Sequence, residues 1–333
     1  MIFHPAVIAL ILSSIFIGFL MTYSSYFSFV IQRKWDLKSG SELQLALERR
    51  TYLVSTILPY VFAFQILSFF LYIYTADQLH TLFVGAMCAA GSLYVNGYGY
   101  PTLILKIINF LLAGLWLILN HVDNKGYDYP LIKKKYALLL LMAPFILAEL
   151  ILQANYFFRL RPDIITSCCG TLFSGEGKSL AADIFALPSL PMKVAFYLSM
   201  FFTLFSGIYF YRRGRGGYLF AGMTALAFVV SLLSIFSFIS LYIYELPTHH
   251  CPFCILQGGY GYIGYPLYLT VLGGALSGVG VGILSPFRKT KSLSGVIPSV
   301  QRKLALTSVI LFLIFTVIVS VRMLISDFIL EGY

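Results

Sequence analysis

The sequence predicts an all-α integral membrane protein of about eight transmembrane helices. Three observations predict it. Hydrophobic residues fill 59% of the 333 positions and charged residues only 11%, against about 25% charged in a soluble domain. The apolar residues form continuous runs, and about 20 of them in a row is what a hydrocarbon core roughly 30 Å thick requires of a helix. The Lys and Arg residues gather in the short connections between those runs. The formal charge of +10 therefore reads as basic cytoplasmic loops. No basic run interleaved with aromatics points to nucleic acid.

The first helix is expected over Pro5 to Ile31. It lacks a basic leader and a small-residue cleavage pattern, so it reads as a retained helix. A polar loop with Arg33, Lys34, Lys38, Arg49 and Arg50 follows, then a second helix over Tyr52 to Tyr74. Leu82 to Val95 is apolar but short for a crossing. The third and fourth helices are expected over Pro101 to Leu119 and Tyr136 to Phe158, with Lys125 and Lys133 to Lys135 between them. A polar loop, 159–186, contains Cys168 and Cys169. The fifth helix spans Leu187 to Tyr211, the sixth Tyr218 to Tyr244, the seventh ends near Leu284, and the eighth spans Leu304 to Ile325.

Charge decides the expected topology. With the N-terminus outside and Leu82 to Val95 not crossing, 17 Lys and Arg fall in inside loops and three (Arg159, Arg161, Lys178) in outside loops. Three more (Lys106, Lys193, Arg322) lie within helices. A crossing at Leu82 to Val95 would turn Lys133 to Lys135 and Arg212 to Arg215 outward. That segment therefore reads as a re-entrant or broken helix, a form tolerated where protein or a watery cavity covers the backbone. The expected location is a plasma membrane of the bacterial inner-membrane type, with both termini outside. Lys193 and Arg322, near helix ends, are expected to snorkel to the interface.

An internal repeat is also visible. Asp77, His80, Cys88, Gly97, Gly99 and Pro101 follow the second helix. Glu245, His249 and His250, Cys254, Gly259, Gly261 and Pro266 follow the sixth. The division this predicts is two parallel four-helix units, 1–158 and 187–333, joined by the extracytoplasmic cysteine loop 159–186. Sites in repeat-built membrane proteins tend to lie between the repeats.

The densest reactive stretch is His249-His250-Cys251-Pro252-Phe253-Cys254. The expected topology puts Cys168, Cys169, Cys251 and Cys254 outside, on the side where disulfides persist in bacteria. A helix starting at or just after Pro252 would set Cys251 at its N-terminus, where the dipole and unpaired N–H groups favour thiolate. His249 and His250 would add charge or accept a proton. The candidate catalytic residues are thus Cys251, Cys254, Cys168 and Cys169.

Cys251-Pro252-Phe253-Cys254 resembles the glutaredoxin active-site tetrad. Its placement is similar to that in the vitamin K epoxide reductase and DsbB families, where a Cys-x-x-Cys opens a membrane helix at the periplasmic or lumenal face. The resemblance implies a quinone-proximal role for Cys251 and Cys254, a relay role for Cys168 and Cys169, and a quinone as electron acceptor. It implies thiol–disulfide exchange with an extracytoplasmic thiol protein as the leading function.

The residues alone leave other readings open. His249, His250, Cys251, Cys254, His80 and Cys88 form a soft N/S set suited to copper or zinc, which would make this a metal-binding or metal-transporting protein. A third reading is a membrane subunit of a larger complex with structural cysteines. Lys106 and Glu149, ionisable within the membrane, are functional candidates by position, as a proton path serving a quinone or as a locking ion pair. Tyr260, Tyr262 and Tyr265 are candidates to line a site for a flat ring.

Overall fold

The computed structural model describes residues 3–36, 39–161, 164–166, 188–247 and 249–328. Cys168 and Cys169 lie outside these residues. The described chain is helical, with no strand among the described residues. Among them, eight helices are long and apolar enough to cross a membrane. The chain is an all-α polytopic membrane protein.

The α-helices among the described residues are α1 (Pro5–Lys34), α2 (Glu42–Leu79), α3 (Ala89–Tyr94), α4 (Gly99–Asp123) and α5 (Ile132–Phe158), then α6 (Ser189–Arg213), α7 (Gly217–Ser234), α8 (Ser240–Tyr244), α9 (Gly264–Leu284) and α10 (Val296–Ile325). A π turn, Ile235–Ile239, runs on from α7 into α8, and the three together form one span, Gly217–Tyr244. The expected spans are present, several of them longer than the hydropathy alone implies. α2 starts at Glu42, ten positions before its apolar run, because a helix continues past the lipid boundary wherever its residues allow it.

Leu82 to Val95 is broken helix. A 3-10 turn at His80–Leu82 leads through irregular backbone into the six residues of α3. The chain groups into two compact units. The first contains Met1–Gln78, Leu93–Pro162 and Phe287–Ile297. The second contains Leu79–Ser92, Asp163–Pro286 and Pro298–Tyr333.

The first unit is built on α1, α2, α4 and α5. Its core gathers Ile17, Phe62, Trp116, Tyr136 and Met142, with the Phe62 ring edge-on to Trp116 at 4.9 Å. Ion pairs are buried in it as well. Lys106 meets Glu149 at 2.7 Å, and Lys135 meets Asp123 at 2.7 Å. Each is wrapped in further hydrogen bonds, which a buried pair needs to offset its lost hydration. Glu149 Oε2 accepts from Gln65 Nε2 and Asn109 Nδ2, both at 2.6 Å, and Lys106 also donates to Ser68 Oγ. Lys135 also donates to Asn120 Oδ1, while Asp123 Oδ1 accepts the Leu131 amide and so closes the turn into α5.

The second unit contains α6 to α9 and most of α10. α9 is rich in glycine where it meets α7. A Cβ added at Gly278 would sit 2.4 Å from the Thr224 side chain. Membrane helices have no hydrophobic drive towards each other, so close backbone approach through small residues takes its place. α10 joins by polar bonds: Ser308 Oγ donates to the Gly274 carbonyl and Gln301 Nε2 to that of Val281. Lys193 corrects an expectation. It does not snorkel; it is buried and donates to the Tyr242 hydroxyl at 2.7 Å. With a partner hydroxyl within reach, turning inward satisfies the ammonium better than stretching to the headgroups.

Candidate functional site: a buried three-cysteine cluster

Two loops of the second unit build the site. The first is the broken segment before α3. Cys88 stands at the head of α3, where its carbonyl accepts the Gly91 amide at 3.1 Å. Thr166 braces this loop, donating from its amide to the Val84 carbonyl and from its hydroxyl to that of Gly91.

The second loop runs from the end of α8 to the start of α9. Glu245 takes a left-handed conformation, φ +57°, and turns the chain out of the helix. Cys254 then opens a 3-10 turn (Cys254–Leu256), and a second follows at Gly258–Tyr260. The membrane helix begins only at Gly264. The expected helix start near Pro252 is thus corrected. Gln257 is extended and separates the two short turns, so no long helix points its N-terminus at Cys251. The helix-dipole argument for a Cys251 thiolate falls away with it.

Side chains hold this loop without regular structure. The Tyr244 hydroxyl donates to the Cys251 carbonyl, and the Tyr268 hydroxyl to the Pro252 carbonyl at 2.7 Å. Gln257 Nε2 reaches across to the Met87 carbonyl at 2.9 Å and fastens the two loops together. Gly264 lets the loop fold back on α9; a Cβ there would lie 2.8 Å from Ile255 Cγ1.

The result is a convergence of sulfur. Cys88, Cys251 and Cys254 are buried, at 0%, 0% and 4% exposure, and their three Sγ atoms lie within 4.8 Å of one another. Cys88 Sγ and Cys251 Sγ are 3.4 Å apart, a contact far longer than the roughly 2.05 Å of a disulfide bond.

The histidines part ways. His250 Nδ1 bonds the Phe236 carbonyl, in the π turn, at 2.9 Å. His249 packs edge-on against the Tyr244 ring, centroids 4.4 Å apart, and its Nε2 is buried without a hydrogen-bond partner among the described residues. Burial pushes the His249 pKa down; the neighbouring Cys88 acts against that, and His250 adds to it. Tyr260 lies edge-on to Tyr244 at 4.6 Å, and burial, then Cys254 and Cys251, push its pKa up. Tyr262 is exposed. His80 is half-buried in the 3-10 turn before Cys88 and is not among the three-sulfur group. Lys106 and Glu149 belong to the other compact unit.

Tyr244 was not among the sequence candidates, although it touches the loop three ways, through Cys251, His249 and Tyr260. One more tyrosine at a helix end carries no local signal in a chain with 24 of them. Cys88 did carry one: its place in the repeated acid-His-Cys-Gly-Tyr pattern.

Three sulfurs so placed suit a soft metal. A tetrahedral ion with bonds of about 2.3 Å holds its sulfurs roughly 3.8 Å apart, and the observed separations, 3.4 Å and up to 4.8 Å, bracket that value. Comparison with protein-family models, curated proteins and solved structures finds no match to this chain.

Proposed function

We propose that this membrane protein binds a soft metal ion, of the copper or zinc class, through Cys88, Cys251 and Cys254. The observation that carries this reading is the burial of three sulfurs, contributed by two separate loops, within 4.8 Å of one another. Thiolates are the ligands such ions select. A buried cluster is hard for the thiol of a folded partner to reach, but a small ion enters it readily. Binding there also ties the two loops together, so metal affinity and loop stability rise together. The positive-inside bias of 17 to three supports both termini outside, and hence a site at the extracytoplasmic face of the membrane.

The test is metal analysis of the purified protein. Stoichiometric copper or zinc is expected in the wild type and is lost in each of Cys88→Ser, Cys251→Ser and Cys254→Ser. A metal-free wild type that also takes up neither ion after reduction overturns the reading.

One observation favours a second reading, thiol–disulfide exchange. The 3.4 Å approach of Cys88 to Cys251 suits transfer of a disulfide between the two loops. In that reading a partner thiolate attacks a Cys251–Cys254 disulfide and forms a mixed disulfide with Cys251. A second partner thiol releases it as the partner's own disulfide, and the two electrons and two protons left on Cys251 and Cys254 pass to a quinone. Because Cys88, 3.4 Å from Cys251, can also resolve a mixed disulfide, the double variant Cys88→Ser/Cys254→Ser would then trap a reducible cross-link to another protein, visible on non-reducing gels, and Cys251→Ser would not. The metal reading expects no such species from either variant.

A further inference from the structure

We infer that His249, and not His250, is the fourth ligand of the metal centre, making it a tetrahedral site of three sulfurs and one nitrogen, of the kind that holds zinc. This inference rests on the metal-binding reading above. Two neighbouring histidines beside a Cys-x-x-Cys are indistinguishable in sequence, and the structure separates them. His250 is engaged: its Nδ1 bonds the Phe236 carbonyl in the π turn. A metal on its other nitrogen, Nε2, would leave that bond intact, so the bond alone does not decide between the rings. Burial does, for His250 Nε2 is not among the buried polar atoms left without a partner. His249 has a ring nitrogen to spare, for its Nε2 is buried with no hydrogen-bond partner among the described residues. A buried polar atom left so is costly, and a metal bond is one way to satisfy it.

The same ring is tied to the cluster. Its edge contact with Tyr244 sets it against the residue whose hydroxyl holds the Cys251 carbonyl. His249 lies outside the three-sulfur group itself, so it would close on the ion as the ion binds.

Charge points to the ion. Three thiolates and a neutral imidazole leave a net charge of −1 around a divalent ion and −2 around a monovalent one. A buried site bears the smaller residual charge at less cost. Four ligands with no open position are the mark of a closed, structural zinc centre. Its work would be to clamp the loop before α3 to the loop before α9.

The experiment uses the full-length protein in detergent, reduced, stripped of metal and titrated with cobalt(II), a spectroscopic stand-in for zinc. The wild type is expected to show both the near-ultraviolet sulfur-to-cobalt band and the intense visible bands of tetrahedral cobalt. His249→Ala should keep the sulfur band, lose the tetrahedral pattern and bind more weakly by at least the roughly tenfold that loss of an outer-shell partner alone costs. His250→Ala should match the wild type. His249→Cys, which replaces nitrogen with sulfur, should restore tetrahedral bands at a shifted position. That rescue separates loss of a ligand from loss of the fold. A His249→Ala protein with wild-type spectrum and affinity, or a His250→Ala protein with the larger loss, overturns the assignment and leaves the three-sulfur site standing. Absence of any sulfur-to-cobalt band in the wild type overturns the zinc assignment, and failure of the reduced protein to take up copper as well defeats the metal reading itself.

Discussion

The Sγ atoms of Cys88 and Cys251 lie 3.4 Å apart, although 163 positions separate the residues in the chain. One sits at the head of a six-residue helix, the other in an irregular loop between two membrane spans. A contact of this length is short enough for oxidation to close it with small side-chain movement. In metal-free Cys254→Ser protein, diamide should therefore take two electrons and two protons from this pair and leave a Cys88–Cys251 disulfide. Mass mapping of the proteolytic fragments should find it, and zinc added first should suppress it.

The Tyr244 hydroxyl bond to the Cys251 carbonyl is expected to set the loop before metal arrives. Tyr244→Phe keeps the ring packing against His249 and Tyr260 and removes only that bond. It should weaken metal binding by about 10-fold, within the range measured for outer-shell partners, without changing the metal-to-protein ratio at saturation. Titration against a competing chelator measures both.

The Lys106–Glu149 pair is buried, and Glu149 also accepts from Gln65 and Asn109. Removing one charge strands the other, which costs about 3–5 kcal/mol. Lys106→Met and Glu149→Leu should each lower the denaturation midpoint sharply. The double variant should recover part of the loss but not all of it, because the Gln65 and Asn109 amides keep no acceptor. If either single variant is as stable as the wild type, the pair is no lock.

Gly278 faces Thr224 so closely that a Cβ would fall 2.4 Å from its side chain. Gly278→Leu should force α7 and α9 apart and reduce the yield of folded protein in detergent. Gly222→Ala, on α7 with nothing within 4 Å of the added Cβ, is the control. It should be neutral or slightly stabilising, as expected for glycine replaced within a helix. Size-exclusion profiles and thermal midpoints compare the two.

Orientation is testable in intact cells. A cysteine introduced by Lys134→Cys, in the first turn of α5, should be shielded from an impermeant maleimide if the side expected from the positive-inside bias is the cytoplasmic one. Tags inserted after Asp77 and near Tyr98 should both be reached from outside. Opposite answers from the two tags would make the broken segment a true crossing.

How much was legible follows from what each feature depends on. Apolar runs and the placement of Lys and Arg are local quantities, so they established the helical membrane class and its eight spans. The failures came where a local rule met a tertiary partner. By position Lys193 reads as a snorkelling residue, yet its Nζ donates to the Tyr242 hydroxyl at 2.7 Å. The start of α9 was expected at Pro252, where proline usually opens a helix, yet the chain forms two 3-10 turns before Gly264. Hydrogen bonds from Tyr244, Tyr268 and Gln257 satisfy carbonyls of the two site loops, Cys251, Pro252 and Met87, outside any helix.

The sequence by itself determined that this chain crosses a membrane and singled out Cys251 and Cys254 as candidate site residues. Hydrophobic length and a two-residue cysteine spacing suffice for both. Only the tertiary structure decided that Cys88 completes the cluster, that the buried ring nitrogen without a partner belongs to His249 and not to His250, and that Tyr244 touches both Cys251 and His249. Those facts depend on distances between segments far apart in the chain. Such distances are set by packing and by the hydrogen bonds each buried group must find, which no single stretch of sequence contains.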